Sequence, residues 1–379
     1  MKEKTRKDKI FKIIAHVSRI ITGAVFMFSG FVKGVDPMGT AYKIQDYLVA
    51  YNFDFLVPLA LSLAILLCAV EFTVGFMLFF NLQTRISAWI LFLMMIFFTG
   101  LTLYDAIYEP VPDCGCFGDA IKLTNWETFY KNVVLIILAV FVFIHRKKFV
   151  GVPHKFVQSL ISILVFILFI GFSTYSYKHL PVVDFLEWRV GNKLYNENPK
   201  PIEYYVTYQN KETLETKEYL LPDFPYNDSV WVSQWEFVSQ RTYDPNDYPG
   251  KSLIIQDTLG NIVTNDIIQN PDYQLVITSY NLSDISPKAI QKIQKLEKSH
   301  DCDILSIAFL TSQEPDNINE FANENDIFLD YYMSDDIILK TMVRSNPGFM
   351  LLKEGMVIKK WSYRDFPNYD ELNKKWLNK

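Results

Sequence analysis

The chain has 379 residues, with 37 Lys and Arg against 42 Asp and Glu, a net charge of −5, and half its residues are hydrophobic. This balance, with no basic patch interleaved with aromatics, argues against nucleic acid as a partner. The mean hydropathy of +0.09 averages two unlike parts. Residues 1–180 carry 17 Lys and Arg against 11 Asp and Glu, whereas the remainder carries 20 against 31. The first part holds nearly all the long apolar runs, and the second is polar and rich in Tyr, Asn and Asp. A membrane domain followed by a water-soluble one is the expected organisation.

Five segments approach the roughly 20 apolar residues that cross a bilayer core: 13–32, 55–80, 86–104, 126–144 and 156–175. The first has a basic start but contains Arg19 and lacks a small-residue cleavage site, so it reads as an uncleaved helix. The fourth has a short apolar core, Val133 to Ile144, and Thr124-Asn125-Trp126-Glu127 supplies a capping box that starts a helix at Thr124. Trp126, Phe129 and Tyr130 then fall at the interface. Lys2, Lys4, Arg6, Lys7, Lys9 and Lys12 precede the first span, Arg85 follows the second, and Arg146, Lys147, Lys148 and Lys155 follow the fourth. With five alternating spans these groups share one side. The positive-inside rule makes that side cytoplasmic and predicts an extracytoplasmic C-terminal domain in a cytoplasmic membrane.

Arg19 and Glu71 lie within spans, where ionisable groups are costly and face the bundle interior. Arg19 is near enough to one face to snorkel. Glu71 needs a partner inside the bundle. Both are candidates for holding a cofactor or moving protons, and the competing reading is a structural polar lock.

Between the third and fourth spans runs Asp113-Cys114-Gly115-Cys116-Phe117-Gly118-Asp119. Outside the cytoplasm, paired cysteines tend to be disulfides or exchange centres. A ring closed across one residue departs from preferred disulfide geometry, and strained bridges are more oxidising. Gly115 tolerates the backbone this needs. Asp113 and Asp119 are expected to raise the thiol pKa and slow attack, and the Phe117-Gly118 turn to hold the pair against the bilayer surface. Three readings compete: a static bridge, a metal site and thiol–disulfide exchange at Cys114 and Cys116. No Cys-x-x-Cys or nearby His supplies further ligands, so no metal is assigned. Cys68, at mid-span, is expected to be a membrane-facing or core thiol.

In the second part, residues 201–220 alternate like a hairpin. Beyond 250 come strands at 252–256, 274–280 and 303–310, helices at 287–298 and 315–325, and a closing hairpin from 349–352 to 356–359. Strand, helix, strand, helix and hairpin predict an α/β domain. The boundaries expected are 1–150 for four membrane helices, 151–180 for a fifth helix, 181–249 for a β-rich connection and 250–379 for the α/β domain.

The stretch from Arg19 through Gly23 and Gly30 to Lys33, continued by Asp36-Pro37-Met38-Gly39, resembles the opening helix of the DoxX superfamily of four-helix membrane proteins. With Glu71 in the second helix and Cys114-Gly115-Cys116-Phe117-Gly118 after the third, residues 10–145 resemble the MauE branch, the methylamine-utilisation proteins. That resemblance implies a role in maturing extracytoplasmic proteins that need disulfides. The C-terminal domain resembles thioredoxin-like domains related to peroxiredoxins, with Pro347 at the position of their cis-proline. It departs from them decisively, because Asn281-Leu282-Ser283-Asp284-Ile285-Ser286 follows the first strand and contains no cysteine. Its thiol, Cys302, opens a strand and reads as a buried filler.

The fold class expected is therefore an α-helical membrane bundle, four DoxX/MauE-like helices plus a fifth, followed by an α/β thioredoxin-like extracytoplasmic domain. Cys114 and Cys116 would exchange with an extracytoplasmic thiol protein, and a quinone is the electron carrier suggested by analogy with other membrane thiol oxidases. The alternative is a membrane-anchored, non-catalytic assembly factor that binds clients through the soluble domain.

Overall fold

The computed structural model describes residues 2–149 and 154–377, with the backbone alone for 2–9. The side chains of the basic cluster from Lys2 to Lys9, and the boundary expected at 150/151, lie outside the described residues.

Six helices build the first part: α1 Lys2–Val35, α2 Pro37–Ala50, α3 Ala60–Phe79, α4 Thr84–Tyr108, α5 Asn125–His145 and α6 Lys155–His179. Five stretches are long and apolar enough to cross a membrane: Ile10–Val35, Asp54–Phe79, Thr84–Tyr108, Asn125–His145 and Lys155–His179. Their outward faces leave Ile13, Leu93, Phe97, Ile144 and Leu168 exposed. Such a belt suits lipid and would be untenable in water. The capping box at Thr124 forms as read: its hydroxyl accepts from Glu127 N while the Glu127 carboxylate accepts from Thr124 N.

The helix α2 was not foreseen. Asp36 caps it by accepting from Gly39 N at 3.0 Å, and Pro37 occupies its first turn. Asp-Pro is a legible start signal, although the helix it starts is too short to span a bilayer.

Glycines set how closely α1 and α3 approach. A Cβ on Gly30 would stand 2.6 Å from Phe72 N and 2.9 Å from Cys68 O, and one on Gly23 would stand 2.7 Å from Phe79 N. Backbone meets backbone there, as small residues allow in membrane helices. Cys68 is fully buried beside Ala69 and Phe169, so it is a core thiol.

The second part has two sheets. Strands β1 Glu203–Asn210, β2 Thr216–Leu220 and β3 Trp235–Tyr243 form an antiparallel sheet in the order β2-β1-β3, with the short helix α7 Ser229–Gln234 before β3. After α8 Thr264–Ile268 come β4 Tyr273–Ser279, α9 Pro287–Ser299, β5 Leu305–Thr311, α10 Pro315–Asn325, β6 Asp330–Met333, α11 Asp336–Met342, β7 Gly348–Lys353, β8 Met356–Ser362 and α12 Tyr369–Leu372. The five-stranded order is β6-β5-β4-β7-β8, parallel across β6, β5 and β4 and antiparallel from β4 through β7 to β8. Leu275, Ile277 and Phe309 face one core, and Val276, Ala308 and Leu310 face the other. Burial on both faces explains why these strands read as unbroken apolar runs. Cys302, expected to be a buried filler opening a strand, is instead exposed and lies before β5, and the strand expected at 252–256 does not form. Leu253 and Ile255 are buried as plugs, and Gln256 makes isolated bridges to Ile262 and Met333. Leu186, Trp188 and Leu194, from the segment after α6, complete the second core, where Trp188 Nε1 donates to Thr341 Oγ1 at 2.9 Å.

Gly30→Val should force α1 away from α3 at a cost of about 1–3 kcal/mol. It should lower the unfolding temperature of the detergent-solubilised protein. Gly100→Val, where nothing lies within 4 Å of an added Cβ, should change it far less. Equal shifts for the two variants would contradict the close α1–α3 contact.

Candidate dithiol site

The loop between α4 and α5 is bent by two left-handed glycines, Gly115 at φ +61° and Gly118 at φ +52°. Gly115 N donates to Asp113 Oδ1 at 3.0 Å, and Gly118 N donates to Gly115 O at 2.9 Å. L-residues with a side chain are strained at such φ values. The turn brings Cys114 Sγ and Cys116 Sγ to 3.5 Å, as two free thiols. Phe117 packs on Phe28 of α1, with centroids 5.6 Å apart, and Lys131 Nζ of α5 stands 4.5 Å from its ring centre. Phe117 thus anchors the loop to α1 and α5.

Both thiols line a cavity of about 290 Å³ inside the bundle. Val25, Phe26, Leu67, Met95, Phe98 and Leu135 form apolar wall, while Lys33, Tyr47, Glu71, Lys131 and Asn132 are polar lining groups. Such a volume lies near the lower end of small-molecule sites, roughly 300–1,000 Å³.

Glu71 finds its partner in Lys33 of α1, Nζ to Oε2 2.5 Å, with side-chain exposures of 4% and 7%. The Ser29 hydroxyl lies 3.1 Å from the same carboxylate and 2.8 Å from the Cys116 carbonyl oxygen. The buried ion pair is therefore linked through one hydroxyl to the thiol loop. Tyr47 of α2 donates to Asp105 Oδ2 at 2.6 Å and reaches the Cys114 thiol.

The two thiols are electrostatically unlike. Cys116 is drawn down to about 6, first because Cys114 donates a hydrogen bond to it; burial opposes this, and the Lys131 and Lys33 charges add to it. The same hydrogen bond, with burial, pushes Cys114 well up. This corrects the expectation that Asp113 and Asp119 would raise the thiols. Asp113 is paired with Lys43 at 2.7 Å and Asp119 with Arg344 at 2.8 Å, so neither acts as a free negative charge on the loop. The two lysines that do act come from α1 and α5, and sequence distance hid them.

Arg19 is corrected too. Its Nη1 donates to the carbonyls of Leu78 and, at 3.0 Å, Phe79, at the C-terminus of α3. A cation there complements the helix dipole. It is not among the cavity's lining residues. The residues the sequence reading missed are Ser29, Lys33, Tyr47, Lys131 and Arg344. For Lys33 a signal existed, since the apolar run around it reaches Val35.

The bundle matches the MauE family. Residues 11–145 fit the family model described as methylamine utilisation protein MauE. Searches of curated proteins and of solved structures return no match. The MauE match points to a membrane protein with a redox-associated or accessory role.

Glu71→Gln should leave Lys33 charged and unpaired in the bundle, a loss of about 3–5 kcal/mol. Thermal unfolding in detergent should drop accordingly. The double variant Lys33→Met/Glu71→Leu, which removes both charges, should recover most of it. A double variant as unstable as the single one would contradict the pairing.

Proposed function

We propose that this MauE-like protein is a cytoplasmic-membrane thiol–disulfide oxidoreductase whose redox couple is Cys114–Cys116. In this reading it supports disulfide formation in, or maturation of, exported proteins. The observation that carries it is the pair of thiols 3.5 Å apart on the cavity wall, one drawn down to about 6 beside two lysines. A static bridge needs no such activation. Charge asymmetry among the loops supports an extracytoplasmic position for the pair.

In the oxidised form, a partner thiolate attacks Cys114 Sγ, the Cys114–Cys116 bond breaks, and Cys116 leaves as the thiolate. The more acidic thiol is the better leaving group. The partner's second thiol then attacks the mixed disulfide and releases Cys114, which takes up a proton. Two electrons and one proton have passed from the partner to the pair, the proton resting on Cys114 and the negative charge on the Cys116 thiolate. A quinone in the membrane would take on the two electrons, with the Cys114 proton and a second proton from water, becoming a quinol as the Cys114–Cys116 bond re-forms. The apolar wall beside the thiols suits a lipid-soluble carrier of that class.

The C-terminal domain supports a thioredoxin-like reading through its strand order, β5-β4-β7-β8, with α9 crossing between the parallel pair β4 and β5. The Asn346–Pro347 peptide before β7 is cis. Ser279, Asn281 and Asn346 hydrogen-bond to one another at the end of β4 where thiols would stand. The alternative, client binding at this end by an assembly factor, is less favoured, because Tyr280 meets Tyr42 of the bundle there.

Replacing Cys114 or Cys116 by Ser should change the disulfide state of the cell's exported thiol proteins. An unchanged state, together with loss of function only on deletion of residues 180–379, would favour the assembly-factor reading instead.

A further inference from the structure

Arg344, in the soluble domain just after α11, has no part in the chemistry above, yet it is tied to the dithiol loop. Its side chain is 6% exposed. Nε donates to Asp36 Oδ2 at 2.7 Å, Nη2 to Asp119 Oδ2 at 2.8 Å, and Nη1 to the Lys340 carbonyl at 2.8 Å. Asp36 caps α2 at the corner after α1, and Asp119 lies three residues beyond Cys116. Both acids line the dithiol cavity. One guanidinium from the soluble domain thus joins two parts of the membrane domain.

The physical case for dependence is direct. Two carboxylates sharing a partly buried site repel unless a cation lies between them. Burial raises the Asp119 carboxyl, Arg344 draws it back, and Asp36 pushes it up again. Burial pulls the guanidinium down, and the two acids more than restore its charge. A planar fork can serve two carboxylates at once, which an ammonium cannot do with the same geometry. The corner is shaped for it: a Cβ on Gly39 would stand 2.9 Å from Nη2. Around the clamp, Tyr42 meets Tyr280 edge-on at 6.3 Å, and Lys340 Nζ stands 5.3 and 5.4 Å from the two ring centres.

We propose that the soluble domain is a positioning element for the dithiol: Arg344, seated between Asp36 and Asp119, fixes the loop so that Cys116 stays beside Lys33 and Lys131. The domain that has no thiols of its own at residues 281–286 thereby acts on those of the bundle. The value of such positioning rests on the thiol-exchange reading; the seating itself does not.

The test is the pH profile of iodoacetamide alkylation at Cys116, read by mass spectrometry on the full-length reduced protein in detergent. Hydrogen exchange of residues 113–119 is measured in parallel. The wild-type midpoint should lie near 6. Arg344→Ala should raise it by about one pH unit or more, slowing alkylation roughly tenfold below the midpoint, and should speed exchange in the loop. Arg344→Lys should restore part of both effects. Arg344→Gln, which keeps much of the volume, serves if the alanine variant fails to fold. An unchanged midpoint in a folded variant overturns the proposal, and so does a shifted midpoint with unchanged loop exchange, which would mean through-space charge alone. Alkylation needs no partner protein, so the two readings fail separately. A shifted profile without thiol exchange in cells overturns only the exchange reading, and intact exchange with a normal profile overturns only the positioning role.

Discussion

Two full charges stand inside an apolar bundle, Glu71 on α3 and Lys33 on α1, 2.5 Å apart and almost sealed from solvent. Taking either ion out of water alone costs several kcal/mol, so each requires the other. Their contact lies on the same two helices that the glycines let approach backbone to backbone. Ser29 then connects the pair to the Cys116 carbonyl, and Lys33 itself contributes to drawing the Cys116 thiol down. The lock that holds the helices together and the field that acts on the thiol are the same group.

The acids flanking the thiols show why local charge is a poor guide to reactivity. Asp113 and Asp119 are neighbours in sequence, and alone they would disfavour a thiolate. Each is matched by a cation from another element, Lys43 on α2 and Arg344 in the C-terminal part. What remains to act on Cys116 is positive. Cys116 therefore stands beside lysines of α1 and α5 within a loop whose own sequence is acidic, and neighbouring cations favour a thiolate.

Much of the scaffold was legible. The Thr124 capping box, the start of α9 at residue 287, the five spans and the alternation of strand and helix after 270 all follow from rules within one element. The strand proposed at 252–256 failed because its apolar residues serve as plugs while its backbone has no full-length neighbour. Of the site, the two thiols, their glycine and the buried acid were readable, since each is odd on its own terms. Their partners were not. Arg344 reaches Asp119 across 225 residues and Asp36 across 308, and such pairings are decided by tertiary packing. Arg19 was readable as buried but not as a helix cap, because nothing local distinguishes a cavity from the end of a neighbouring helix.

The central claim is that Cys114 and Cys116 exchange with a thiol of another protein. Trapping in intact cells tests it most directly, with Cys114→Ser and Cys116→Ser expressed separately and alkylated on lysis. The expected result is a reductant-sensitive adduct between the remaining cysteine and one exported thiol protein, absent from the double variant. No adduct from either single variant, with both proteins folded and in the membrane, would contradict the account.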